Sequence, residues 1–157
     1  MRIHSFDESC VALQLSGQRP GGSDQANAQR LEVCVVFTNK TGTVAALQMA
    51  NRLASKLGAS LQLVMPHEVP FRLPLTKPAV QVEFMERELR ETADQACVEI
   101  DARIVLCRDR RRALQTVIRP GSLVLVGGRN RWWPTPEQKL AQSLTRAGHH
   151  VIFAESK

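Results

Sequence analysis

The sequence predicts an α/β domain built on a parallel β-sheet with helices on both faces. Three observations predict it. From residue 31 onward, short runs rich in Val, Leu and Ile alternate five times with stretches of helical period. The runs are continuously apolar rather than alternating, as expected of strands covered on both faces. The intervening stretches are long enough to be crossovers, which implies right-handed βαβ units.

The elements follow in order. "LEVCVVF" (31–37) is a β-branched first strand. After "TNKTGT", Ala45, Ala46, Met49, Ala50, Leu53, Ala54 and Leu57 recur at helical spacing, and Gly58 stands where a C-terminal glycine cap belongs. "SLQLVM" (60–65) is the second strand. A proline-punctuated loop, "PHEVPFRLPLTKP", leads to a helix over roughly 80–96 with Phe84, Met85, Leu89, Ala93 and Ala96 on one side. "ARIVLC" (102–107) is strand three, and "RRRALQTVI" is a short helix stopped by Pro120 and Gly121. "SLVLVGG" is strand four. The next helix opens with Thr135 as N-cap, Pro136 at the first helical position and Gln138 three residues after the cap, a capping box with the preferred proline. It ends near Gly148, and "HVIFAE" is strand five.

At 157 residues the chain fits one domain with a sizeable core. A hydrophobic content of 43% with 23% charged residues excludes a disordered or membrane-embedded chain. Five Phe, two Trp and no Tyr leave Val, Leu, Ile and Ala to fill the core. The formal charge is +6, and most of the basic residues are arginines, which suit anions better than lysines do. Residues 1–30 are polar and end in "GQRPGGSDQANAQR", which reads as a linker. "CVAL" (10–13) can form a short strand, but the segment is expected to be an N-terminal extension outside a domain spanning 31–157.

Cys10, Cys34, Cys97 and Cys107 show no CxxC spacing. Cys34 and Cys107 fall inside strands and read as small buried hydrophobes of a reducing compartment. No segment approaches the ~20 apolar residues that span a bilayer, and the N-terminus has no sustained apolar stretch. A cytoplasmic location without membrane insertion is the expectation.

Residues 31–155 resemble the universal stress protein family. "VCVVFTNKTGTVAALQMANRLASKLGASLQLVMP" is similar to that family's first strand, first helix ending in Leu-Gly-Ala, and second strand; "SLVLVGGR" is similar to its fourth strand and the glycine turn that follows. The resemblance implies a Rossmann-like, five-stranded parallel sheet in the order 3-2-1-4-5. Strands one and four then meet where the winding direction reverses, and open α/β sheets bind ligands at such a point.

Nucleotide-binding members carry Gly, two residues, Gly, nine residues, then Gly-Ser or Gly-Thr, with an Asp closing strand one. Glycines let main-chain N–H groups approach phosphate, a helix N-terminus adds positive charge, and the Asp accepts bonds from the nucleoside. Here the first glycine is Gly127, and Gly128 and Arg129 fill the variable positions. Asn130 replaces the second glycine. Counting nine residues on reaches Leu140 and Ala141, whereas aligning on the helix end reaches Glu137 and Gln138. Neither restores Gly-Ser, and Glu137 at the helix start would neutralise the charge that attracts phosphate. The strand-one acid falls on Thr38, followed by Asn39. The nucleotide motif is therefore degenerate. Carried onto this sequence, the family's site comprises Thr38, Asn39, Val64, Gly127, Gly128, Arg129 and Asn130.

Other residues compete for a role. Arg129 and Arg131 can make a cationic turn for a different anion, or be solvated. Trp132 and Trp133, before Pro134, can stack on a base, plug the vacated pocket, fill a partner surface or pack on the protein's own core. "RDRRR" (108–112) sits where a helix start disfavours positive charge, yet lacks interleaved aromatics, so a solvated basic face is expected and nucleic acid is not the expected partner. His149 and His150 should point to opposite faces of the last strand, which argues against one metal held by both. "KTG" (40–42) matches a serine β-lactamase motif, but no Ser-x-x-Lys accompanies it. No nucleophile has a base partner, and no catalytic residue is assigned.

The expected function is that of a non-catalytic stress-response or regulatory module of universal stress protein type, requiring no cofactor and acting through dimerisation or a protein partner. The last strand (His149–Glu155) would be an apolar edge that needs covering, which predicts a homodimer. The second reading is an ATP- or AMP-binding protein using the turn from Gly127 to Asn130, at most a weak ATPase. A third is arginine-mediated binding of anions or nucleic acid, for which binding with a steep salt dependence would speak.

Overall fold

A computed structural model describes residues 2–15 and 31–157. The elements run β1 (Arg2–Asp7), β2 (Cys10–Gln14), β3 (Glu32–Val36), α1 (Lys40–Leu57), β4 (Ser60–Glu68), α2 (Val82–Ala93), β5 (Ile100–Cys107), α3 (Arg110–Val117), β6 (Leu123–Gly128), α4 (Pro136–Arg146) and β7 (His150–Glu155). All pair into one sheet in the order β1-β2-β5-β4-β3-β6-β7. Its five parallel strands, β5-β4-β3-β6-β7, reproduce the expected 3-2-1-4-5 order.

The sheet has seven strands rather than five, because residues 2–15 are not an extension outside the fold. They form a hairpin that adds β2 antiparallel to β5, with Cys10 opposite Cys107 and Gln14 opposite Arg103, and β1 outside it. Burial explains the pairing. Left as an edge, β5 would expose Ile104, Val105 and Leu106, which are instead fully buried. On β2, Val11 and Leu13 join one core and Cys10 and Ala12 the other, the two-residue alternation of a strand covered on both faces. Gln14 Nε2 donates to Asp101 Oδ1 at 3.0 Å and ties the hairpin to β5. The run at 16–30, read as a linker, lies outside the described residues.

The two faces hold separate cores. Val33, Val35, Leu61, Leu63, Ile104 and Leu125 meet α1 through Leu47 and Ala50 and α2 through Met85 and Leu89. Cys34, Val36, Val64, Val105, Val124 and Val126 meet α3 through Leu114 and α4 through Leu140 and Leu144. α1 ends as expected at Gly58, whose φ of 63° supplies the left-handed cap. β4 extends to Glu68 through Pro66, beyond its expected end at residue 65. Phe37 N donates to Val64 O, so by the two-residue period Pro66 turns its missing N–H toward the side where β3 has already ended.

Candidate functional site

The winding reverses between β3 and β6, whose carboxyl ends lie side by side. Past them is a cleft of about 370 Å³ lined by Asn39, Thr41, Arg129, Arg131, Thr135, Pro136, Glu137 and Ser156. Asn39 and Arg129 were expected there from the sequence, and Arg131 joins them as the second arginine of the turn. Thr41 and Ser156 were missed. Thr41 belongs to the first turn of α1, and Ser156 is brought in beyond β7 by a bond from its N–H to Gly128 O at 2.9 Å.

The remaining expected site residues have structural partners. Thr38 Oγ1 donates to Gly127 O at 2.7 Å, and Thr38 N donates to Thr43 Oγ1 at 3.1 Å. Asn39 is the N-cap of α1: its Oδ1 accepts from Gly42 N at 2.8 Å, while its Nδ2 donates to Glu137 Oε1 at 3.2 Å. Asn130 Oδ1 accepts from Gln138 Nε2 at 3.0 Å. Val64 is fully buried in the α3/α4 core and does not line the cleft.

The glycines have a packing explanation that the sequence reading missed. α1 presses its first turn onto the end of β6, so a Cβ built on Gly127 would lie 1.7 Å from Gly42 O, and one on Gly42 would lie 2.5 Å from Gly127 O. Gly42, which closes the "KTG" triplet, is needed for this close approach of helix to strand. A Cβ on Gly128 would lie 2.9 Å from Glu137 Cβ. The main chain of the turn is thus in contact with the protein itself.

The start of α4 is capped from within. Pro136 has no N–H, and those of Gln138 and Lys139 are taken by Thr135 Oγ1 and Thr135 O at 3.3 and 3.0 Å. Gln138 Oε1 accepts from Thr135 N at 2.9 Å, completing the expected capping box. Glu137 places a carboxylate in the first turn, where it opposes the partial positive charge of the helix end.

The tryptophans neither enter the core nor plug the cleft. Trp132 is 90% exposed and Trp133 74% exposed, with ring centroids 6.1 Å apart. Trp132 borders a second cleft with Pro134, Ala141 and Phe153, which reaches the side of β7. In the arginine run, Arg108 is a loop anchor: its guanidinium donates to the carbonyls of Val69, Pro70 and Leu73 at 2.6 to 2.9 Å and lies over the Phe71 ring. Asp109 caps α3 by accepting from Arg111 N and Arg112 N, so the helix start carries its own anion. His149 is buried and His150 exposed. Burial pushes the Cys34 thiol far up and holds the Cys107 thiol at about 12, so both stay protonated while the fold is closed.

No protein-family model and no curated protein matches the sequence. Solved structures do. A universal stress protein in complex with cAMP superposes with a TM-score of 0.56 at 16% identity, covering 82% of this chain and 98% of the other. A universal stress protein from Archaeoglobus fulgidus gives 0.55 at 14% identity, covering 80% of this chain and 98% of the other. The chain thus shares its fold with these universal stress proteins.

Proposed function

We propose that the chain is a non-catalytic regulatory module of universal stress protein type, acting in the cytoplasmic stress response through self-association rather than through nucleotide turnover. The observation that carries this reading is the contact between Gly42 and Gly127: the glycine that would approach phosphate is pressed against α1 instead. Glu137 beside the helix start and Thr38 in place of an acid support it. β7 ends the sheet, and its partly buried Val151, Ile152 and Phe153 make it an edge that gains from a partner. A second copy pairing along His149–Glu155 would cover it, with Trp132 beside Phe153 widening the contact.

The cleft favours a second reading. Arg129 and Arg131 face a space within the range of small-ligand sites, which begins at roughly 300 Å³, and one structural neighbour holds cAMP. Calorimetric titration with ATP, with and without magnesium, and with cAMP separates the two. The first reading expects no heat of binding at millimolar ligand. Binding abolished by Arg129→Ala with Arg131→Ala would replace it with the second. Gly127 is unsuitable as the control, since any side chain there disturbs the packing. Light scattering at micromolar protein should give twice the 17.5 kDa chain mass; a monomer would refute association along β7.

A further inference from the structure

The hairpin that completes the sheet brings two cysteines face to face. β2 and β5 pair with Cys10 directly opposite Cys107. The bonds Arg108 N to Ser9 O at 3.2 Å and Leu15 N to Ala102 O at 3.1 Å put the hydrogen-bonded pairs at the odd-numbered positions of this ladder. Cys10 and Cys107 therefore form a non-hydrogen-bonded pair, the kind in which antiparallel strands bring Cα atoms to about 4.5 Å and side chains closest together. That separation lies inside the window of about 4.4–6.8 Å that a disulfide requires. Both side chains point into the α3/α4 core, so they share a face as well as a register. Each is a thiol in the structure, and Cys107 Sγ donates to His67 O at 3.5 Å. The two sulfur centres are close enough that Cys10 is the second cause of the raised Cys107 pKa, after burial.

We infer that Cys10 and Cys107 are an oxidation site that closes into a cross-strand disulfide under hydroperoxide, locking the N-terminal hairpin onto the sheet. The Cys10 thiolate attacks one peroxide oxygen, the O–O bond breaks, and the departing hydroxide takes a proton to leave as water. The Cys107 sulfur then attacks the resulting sulfenic acid, forming the S–S bond as a second water leaves with the Cys107 proton. Two thiols lose two electrons in total, and one hydroperoxide is reduced to two waters. Hydrogen peroxide is small enough to reach a pair this deeply buried when the hairpin, the outermost unit of the sheet, opens locally. Cys34 sits on β3, two strands from β5 and level with Asp101, which is six residues along the strand from Cys107, so it lies roughly 20 Å away and cannot compete for the bridge.

The test uses the full chain carrying Cys97→Ser, which removes the exposed thiol and with it any link between molecules. After hydrogen peroxide at mildly alkaline pH, quenching and unfolding, titratable thiols should fall from three to one. Peptide mapping should join the segments holding residues 10 and 107, and the thermal midpoint should rise by roughly 10 °C, because the bond closes a long loop. A reductant should reverse all three changes. Cys10→Ala in the same background should keep both remaining thiols and show no peroxide-dependent rise. Wild-type protein mapped in parallel should show the same 10–107 link. Three thiols persisting where wild-type Cys97 is oxidised, a link to Cys34, or irreversible oxidation of either cysteine without a link would overturn the proposal.

Discussion

Replacing Gly127 with alanine tests whether the glycine turn serves packing. The new Cβ would start 1.7 Å from Gly42 O and 2.4 Å from Gly42 C, and no real Cβ sits within 3.0 Å of a neighbour, so helix and strand must part by more than an ångström. Both obstructing atoms are main chain at the start of α1, where rotamer changes give no relief. Overpacking of this kind costs about 1–3 kcal/mol and sometimes more. Parting the two elements also pulls Gly127 O away from Thr38 Oγ1, losing a bond worth about 1 kcal/mol. Together these give a loss of about 2–4 kcal/mol, a large fraction of a typical domain's stability, and a fall in thermal midpoint of roughly 5–15 °C for a chain this size. Urea unfolding followed by circular dichroism measures it.

Gly42→Ala sharpens the test because two principles predict opposite signs. Gly42 lies inside α1, where alanine is favoured over glycine by up to about 1 kcal/mol. The contact geometry instead puts its Cβ 2.5 Å from Gly127 O, so the variant should be destabilised. A cost under about 1 kcal/mol for Gly127→Ala, or a gain for Gly42→Ala, would show that the turn is open and that the packing explanation is wrong.

Further expectations follow from single contacts. Thr38→Val keeps the shape but leaves Gly127 O without its hydroxyl donor, and should cost about 1–2 kcal/mol in urea unfolding without changing the far-ultraviolet spectrum. Burial first, and then Arg110, hold the His67 pKa below 6.5 in the folded chain, with Glu68 opposing weakly. The unfolded chain therefore binds a proton before the folded one does, and stability should decline as pH falls from 6.5 toward the lower folded pKa; His67→Gln should flatten that limb, and an unchanged profile would remove His67 as its cause. Trp132→Ala with Trp133→Ala should leave the thermal midpoint of the protomer nearly unchanged, since both rings are exposed, while weakening self-association measured by sedimentation if they border the dimer contact.

The parallel sheet was legible because its strands are buried on both faces, which forces short, β-branched, largely apolar runs such as "LEVCVVF" and "SLVLVGG". Caps were legible for a local reason: Thr135, Pro136, Gln138 and Gly58 act within one helical turn of themselves. The hairpin was not, because its partner strand lies nearly a hundred residues away, from Cys10 to Cys107, and its own apolar run is short and followed by a polar stretch. Within the site, Arg129 and Arg131 could be placed from the glycine turn, and Asn39 by counting back from Ala46 and Leu47 to the end of the first strand. Thr41 and Ser156 could not, since α1 and the chain beyond β7 meet the turn only in three dimensions. The "KTG" triplet had no local explanation because the reason for Gly42 is a contact with Gly127, far along the chain.

That contact bears on how a glycine turn after a parallel strand is interpreted. A glycine there is equally required by a phosphate that must reach the main chain and by a helix that must cross the strand end at close range. Sequence spacing cannot separate the two, because both demand the missing Cβ at the same position. The direction in which that Cβ would point does separate them: at Gly127 it meets Gly42 O, and at Gly128 it meets Glu137. Here both glycines are accounted for by contacts within the protein, so the first element of the nucleotide motif is explained by the fold without a ligand. The side chains of Arg129 and Arg131 line the cleft together with Asn39, Thr41 and Glu137, and they carry its positive charge.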